Sequence, residues 1–114
     1  MYFASRSRGG QVEMLAIPNP TNWDYLTTML LKKNIAQFIV SAITGASATT
    51  AGFPTGACRY GILLTLNGAN DGEYCVEQIY IPDTTNAISK LYFRNGYKNW
   101  KYINFDGTAT KVTA

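Results

Sequence analysis

Cys58-Arg-Tyr-Gly-Ile-Leu-Leu-Thr-Leu66 and Glu73-Tyr-Cys-Val-Glu-Gln-Ile-Tyr-Ile81, separated by Asn67-Gly-Ala-Asn-Asp-Gly72, form the stretch that decides the fold. Both flanks are rich in β-branched and aromatic residues, and the link between them holds the residues that favour turns. The pattern therefore predicts an antiparallel hairpin. Pairing about that link places Cys75 opposite Leu64 and Cys58 opposite Ile81. The thiols then lie several residues apart along the sheet, beyond the roughly 7 Å Cα separation that a disulfide spans. Both cysteines are expected to be free and mostly buried, as in a protein assembled in a reducing compartment.

Outward from this hairpin the β signals continue. Toward the C-terminus, residues 88–94 and 100–105 predict a second hairpin around Asn95-Gly-Tyr-Lys-Asn99. Toward the N-terminus, residues 35–43 predict a strand with Ala36, Phe38, Val40 and Ala42 on one face. A small-residue loop, 44–56, follows it, with Phe53 as its only large side chain. Before these strands, Asn19-Pro-Thr-Asn22 predicts a helix start with Thr21 as N-cap and Asp24 reaching back to it. Trp23, Leu26 and Leu30 repeat at helical spacing, flanked by Met29 and Lys33, and the helix is expected to end near Asn34, after Lys32 and Lys33.

Residues 1–20 show no sustained period and predict a connector. The expected fold class is α+β: one N-terminal helix packed on an antiparallel sheet of about five strands, assembled as a trimer, which suits a domain with open sheet edges and few charges. The expected division is a connector over 1–18, a domain over 19–106 and a tail over 107–114.

The chain of 114 residues suffices for one domain and one core. Its apolar fraction of 46% against 15% charged residues is that of a globular protein and not of a disordered one. The formal charge of +3 is too mild to imply a nucleic-acid partner by itself. The longest apolar stretch, residues 35–43, contains Gln37 and Ser41 and is far short of the roughly 20 residues of a membrane span. No membrane insertion is expected. Residues 1–10 lack the apolar core of a signal peptide, so synthesis in a cytoplasm is expected.

Histidine is absent, which excludes Ser-His-Asp and Cys-His catalysis. Two cysteines without histidine are too few for a zinc site. Glu73 and Glu77 point to one side of their strand but stand roughly 13 Å apart, whereas paired glycosidase carboxyls need about 5 to 9.5 Å. No phosphate-cradling glycine motif occurs. Asn67, Asn70 and Asp71 supply oxygens of the type calcium takes, but they are also ordinary turn residues. The expectation is a protein that is not an enzyme and has no cofactor and no metal.

The stretch Lys90-Leu-Tyr-Phe-Arg-Asn-Gly-Tyr-Lys-Asn-Trp-Lys-Tyr102 interleaves aromatic and basic residues. Alternation predicts Leu91 and Phe93 toward the core and Lys90, Tyr92 and Arg94 on the other face. An exposed ring offers a flat platform for the C–H face of a sugar or for a base, while Arg, Asn and Lys donate hydrogen bonds. Tyr92, Arg94, Asn95 and Tyr97 are the expected contacts, with Trp100 either a fifth contact or a residue that holds the core or an oligomer together.

In order, Asn22-Trp-Asp-Tyr-Leu-Thr-Thr28, Tyr60-Gly-Ile-Leu-Leu-Thr-Leu66, Glu77-Gln-Ile-Tyr80 and Leu91-Tyr-Phe-Arg-Asn-Gly96 with Trp100-Lys-Tyr102 resemble the motifs of the pyocin knob domain, a module of R-type pyocin and phage tail fibres. The resemblance covers residues 19–104. Ala36-Gln37-Phe38 departs from that family's Gly-x-Tyr, and Tyr102 or Ile103 stands where a second tryptophan is usual. The resemblance implies Trp23, Asp24, Leu26, Gln78 and Tyr80 as family-motif residues with structural roles. It also implies a homotrimer on a virion, joined to other phage structural proteins through residues 1–18 and contributing to attachment to host surface polysaccharide. A purely architectural spacer or head appendage is the alternative. Single-stranded nucleic-acid binding is a remote one, since the helix precedes all the strands and no nucleic acid is expected as partner.

Overall fold

The computed structural model describes residues 2–4, 11–31, 36–68, 75–83 and 90–104. Among the described residues are seven strands and one helix: β1 (Tyr2–Ala4), β2 (Gln11–Ala16), α1 (Trp23–Leu30), β3 (Ala36–Thr44), β4 (Tyr60–Asn67), β5 (Val76–Pro82), β6 (Lys90–Asn95) and β7 (Lys101–Asn104). The strands lie side by side in sequence order. All neighbours are antiparallel except β2 and β3, which are parallel with Met14 opposite Phe38. Parallel neighbours require a crossover, and α1 supplies it. The α+β architecture is as expected, but the sheet is mixed. The reason is that residues 11–16, part of the expected connector, form a strand whose Gln-Val-Glu-Met-Leu-Ala alternation is too short to stand out in the sequence.

The helix starts one residue later than expected. Asn22 is the N-cap, and its Oδ1 accepts from the Tyr25 backbone N–H at 3.1 Å. That leaves the carboxylate of Asp24 free to turn toward the sheet. The helix also ends early, at Leu30, because the buried Asn67 side chain donates to the Leu30 carbonyl at 3.0 Å and accepts from the Gln37 N–H at 2.8 Å. One amide thereby closes the helix end and fixes the entry to β3. Lys32, Lys33 and Asn34 lie outside the described residues.

The expected stripe is the buried face of α1: Trp23, Leu26 and Leu30 pack on Ile39, Ile43, Leu63, Val76 and Tyr80. The central hairpin forms, but its register differs from the expected one. Leu64 faces Ile79 and Ile62 faces Ile81, because pairing closes at Asn67 and Val76, with the Gly68 N–H donating to the Cys75 carbonyl at 2.8 Å. Cys58 and Cys75 are free and half-buried. Glu73, Asn70 and Asp71 lie outside the described residues, so the Glu73–Glu77 pair and the candidate calcium turn do too. Asn67, the remaining member of that turn, is committed to the helix end.

The second hairpin is inverted relative to expectation. Tyr80 faces Tyr92 and Gln78 faces Arg94, and since Tyr80 and Gln78 point toward α1, Tyr92 and Arg94 do as well. Both are buried, while Leu91 and Phe93 lie half-buried on the opposite face. Alternation identifies two faces but not which is covered, and here the covered one contains the arginine.

Candidate functional site

A cross-strand row on the helix side carries a continuous polar chain. Thr65, Gln78 and Arg94 are direct register partners on β4, β5 and β6. Gln78 Nε2 donates to the Thr65 hydroxyl at 3.1 Å and to the Trp23 carbonyl at 2.9 Å. Arg94 Nε donates to Gln78 Oε1 at 2.8 Å, and Arg94 Nη2 donates to Asp24 Oδ1 at 2.9 Å. Burial pulls the Arg94 guanidinium below its ordinary pKa, and the hydrogen bond and charge of Asp24 work in the opposite sense. The Thr65, Gln78 and Arg94 side chains of this row thus satisfy one another, as low-dielectric burial demands.

The aromatic residues surround this chain. Trp23 meets Phe53, Tyr80 and Trp100 edge-on at centroid separations of 5.4, 5.0 and 6.2 Å. The Arg94 guanidinium lies 4.7 Å from the Trp100 ring centroid, and Trp100 Nε1 donates to the Gly52 carbonyl at 2.6 Å. Gly52 has φ +82°, and a Cβ there would stand 2.8 Å from both Arg94 Nη2 and Asp24 Oδ1. The 52–56 loop can close over the ion pair only because that residue is glycine.

Above the pair opens a cleft of about 580 Å³. Its floor is Lys90, Tyr92, Arg94 and Tyr102; its walls are residues 52–56 on one side and 97–100 on the other, with Asp24 at the base. Tyr92 and Tyr102 are register partners with ring centroids 5.7 Å apart, and Lys90 Nζ sits 4.5 Å over the Tyr102 ring. Burial, and then the neighbouring Tyr102, raises the pKa of Tyr92, so the ring stays a neutral hydroxyl donor. Tyr97 shares a 2.6 Å hydrogen bond with the Thr28 hydroxyl, which anchors the outer wall to α1.

Four of the five expected contacts, Tyr92, Arg94, Tyr97 and Trp100, line this cleft. Asn95 does not; it lies on the opposite face, where its amide donates to the Glu77 carboxylate. Arg94 and Tyr92 are also buried and internally engaged, so they shape the floor more than they project from it. Lys90, Tyr102 and the 52–56 loop complete the cleft. Lys90 and Tyr102 sit within the aromatic-basic stretch, whereas the loop is some 40 residues away in sequence and carries no signal of its own beyond its glycines. Of the residues singled out by the sequence resemblance, Trp23, Leu26 and Tyr80 are in the core, Gln78 is the centre of the polar chain and Asp24 is its surface end.

The arrangement suits holding a polar ligand. Tyr102 and Tyr97 are 53% and 43% exposed, enough for stacking, and Lys90 and Lys98 line the cleft beside an Asp24 already paired with Arg94. Among the described residues no cluster of three or more potential metal ligands occurs. No described helix is long and apolar enough to cross a membrane. Comparisons with protein-family models, with curated proteins and with solved structures find no match to this chain.

Proposed function

We propose that the chain is a non-catalytic knob module of a phage tail fibre or related appendage, similar to pyocin knobs, which contributes to host attachment by holding bacterial surface polysaccharide in the β6–β7 cleft. In this reading it is a homotrimer on the virion that meets other virion proteins through residues 1–18, the segment whose strands β1 and β2 form one edge of the sheet. The observation that carries it is convergence. Four separate motifs meet in one chain of contacts, Thr65 to Gln78 to Arg94 to Asp24, with Trp23 and Trp100 packed around it. That chain forms the base of a cleft with exposed rings and amines. Among the described residues the cleft is lined by one carboxylate, Asp24, which is already bonded to an arginine and does not make a glycosidase pair.

The test is retention of the chain on immobilised bacterial surface polysaccharides and on whole cells. A Lys90→Ala/Tyr102→Ala variant is expected to lose at least about tenfold in affinity, the scale of one or two sugar-stacking and hydrogen-bonding contacts, and the recovered polysaccharide is expected to be uncut. Equal retention of both forms on every polysaccharide removes this reading. The architectural alternative draws on the inward orientation of Arg94 and Trp100, and it predicts that the double variant leaves adsorption of the particle unchanged.

A further inference from the structure

The charges that line the cleft do not balance. Among the described residues they are three cations, Lys90, Arg94 and Lys98, against one carboxylate, Asp24. Arg94 and Asp24 offset each other at 2.9 Å, which leaves the two lysines. Lys98 is exposed and Lys90 half-buried. Lys90 makes no ion pair among the described residues, and its Nζ sits 4.5 Å from the Tyr102 ring centroid, over the ring. The neighbouring rings are occupied too. Trp100 carries the Arg94 guanidinium at 4.7 Å and meets Trp23 edge-on, and the Tyr92 ring is buried with its centroid 5.7 Å from that of Tyr102.

From this we infer that the cleft selects saccharides that bear an anionic group, a carboxylate or a phosphate on the sugar, and that Lys90 is the residue that receives it. The inference rests on the polysaccharide reading above and deepens it by naming the class of polysaccharide.

Two features favour an acidic sugar over a neutral one. The first is the state of the Tyr102 platform. A neutral sugar laid on the ring beneath Lys90 displaces an ammonium from a favourable cation–π contact and offers it only hydroxyls in return. An acidic sugar offers the same ammonium a charge-assisted hydrogen bond, about twice as strong as a neutral one. The second is the balance of donors and acceptors. Lys90 and Lys98 only donate. Tyr92, which burial keeps as a neutral hydroxyl, and the Asn99 amide add further donors to the lining. A ligand rich in acceptors satisfies such a lining. Asp24, at the base, has its charge offset by Arg94 behind it, so it repels an incoming anion only weakly. A recessed site with a surplus of one sign focuses its field on the opening, which draws anions in.

Retention of the full chain on three sets of immobilised bacterial polysaccharides tests this: uronate-bearing capsules, glycerol-phosphate teichoic acids and neutral glucans. The wild type is expected to hold one of the two acidic sets at least about tenfold more tightly than the neutral set. That advantage is expected to vanish between about 0.1 and 1 M salt, as the Debye length shrinks from roughly 10 to 3 Å. The two acidic arms separate the sources of the anion. If the uronates are retained, reducing their carboxyls to alcohols leaves the sugar backbone in place and is expected to abolish retention; a phosphate ligand shows instead as retention on the teichoic acids. Lys90→Gln is expected to weaken acidic binding at least about tenfold, and Lys90→Arg to preserve it. Lys101→Gln removes the same charge from the outer face, where Lys101 continues the row Leu64, Ile79 and Phe93, and is expected to leave retention unchanged. Should Lys90→Gln fail to fold, the salt and carboxyl-reduction arms still decide. Equal retention on acidic and neutral sets overturns the inference, as does an equal loss in Lys90→Gln and Lys101→Gln. The cleft itself is read from Lys90→Ala/Tyr102→Ala. Neutral binding that this variant abolishes overturns the acidic preference alone, whereas acidic binding that it leaves untouched overturns the cleft reading and the inference with it.

Discussion

Replacing Arg94 by methionine isolates what the polar chain contributes. The side chain of Arg94 is 4% exposed and that of Asp24 43%, so the two ends of the ion pair respond differently to its loss. Asp24 returns to water at little cost. Gln78 is fully buried, and its Oε1 loses the donor that Arg94 Nε supplies at 2.8 Å. An orphaned buried acceptor costs about 1–3 kcal/mol. The contact between the guanidinium and the Trp100 ring adds about 1 kcal/mol. Methionine keeps most of the stem volume, so cavity terms stay small. The expected loss is about 3 kcal/mol, a large part of the ~5–15 kcal/mol that stabilises a domain. Urea unfolding should show it as a midpoint lowered by about 1.5–2 M for a slope near 1.5–2 kcal/mol/M. In a Gln78→Leu background the acceptor is gone, and the cost of Arg94→Met should shrink by at least about 1 kcal/mol. A loss below about 1 kcal/mol, or the same loss in both backgrounds, would refute the assignment of Gln78 as the residue that makes the arginine necessary.

Gly52→Ala should cost about 2–4 kcal/mol in the same assay, because the left-handed backbone and the approach to Arg94 and Asp24 both disfavour a Cβ; a neutral result would mean that the loop does not close on the ion pair. Asn67→Ala strips the partners from the Leu30 carbonyl and the Gln37 N–H and should cost about 2 kcal/mol, with faster amide exchange at Gln37 as its local sign. Glu77 has its pKa raised by burial. The folded state therefore holds that proton more tightly than the unfolded chain does, and stability falls as pH rises from the ordinary glutamate range through the raised folded-state pKa. Glu77→Gln should accordingly raise Tm at pH 7 relative to wild type, and the gain should disappear below the unfolded pKa; a gain that grows on acidification contradicts this.

The elements whose evidence is local were legible in the sequence: the Trp23, Leu26, Leu30 stripe, the strand after it, both hairpins and the small-residue loop around Phe53. What escaped depends on partners distant in the chain. Strand β2 is six residues long and is held by pairing with β3 across the helix, so its own composition says little. The hairpin register is set by closure at Asn67 and Val76, not by the midpoint of the turn residues. The inversion of β6 is the most instructive case. Both of its alternating sets are large enough to fill a core, and Tyr92 and Arg94 were taken inward by Tyr80 and Gln78 beside them and by Asp24 some 70 residues earlier. The cleft was therefore half visible. Its floor and one wall come from the aromatic-basic stretch, while the other wall, residues 52–56, is brought there by the Trp100 bond to Gly52.

The central claim is that polysaccharide binds in the cleft between the 52–56 loop and the β6–β7 hairpin, and chemical-shift mapping of the ¹⁵N-labelled chain during titration with a retained bacterial polysaccharide fragment tests it most directly. The account predicts that the Trp100 indole N–H and the amides of residues 52–56 and 97–102 shift together and saturate with one affinity, while the Trp23 indole and the outer rows around Leu64 and Ile79 do not move. Shifts confined to the outer face, or a bound fragment that leaves the Trp100 indole untouched, would contradict it.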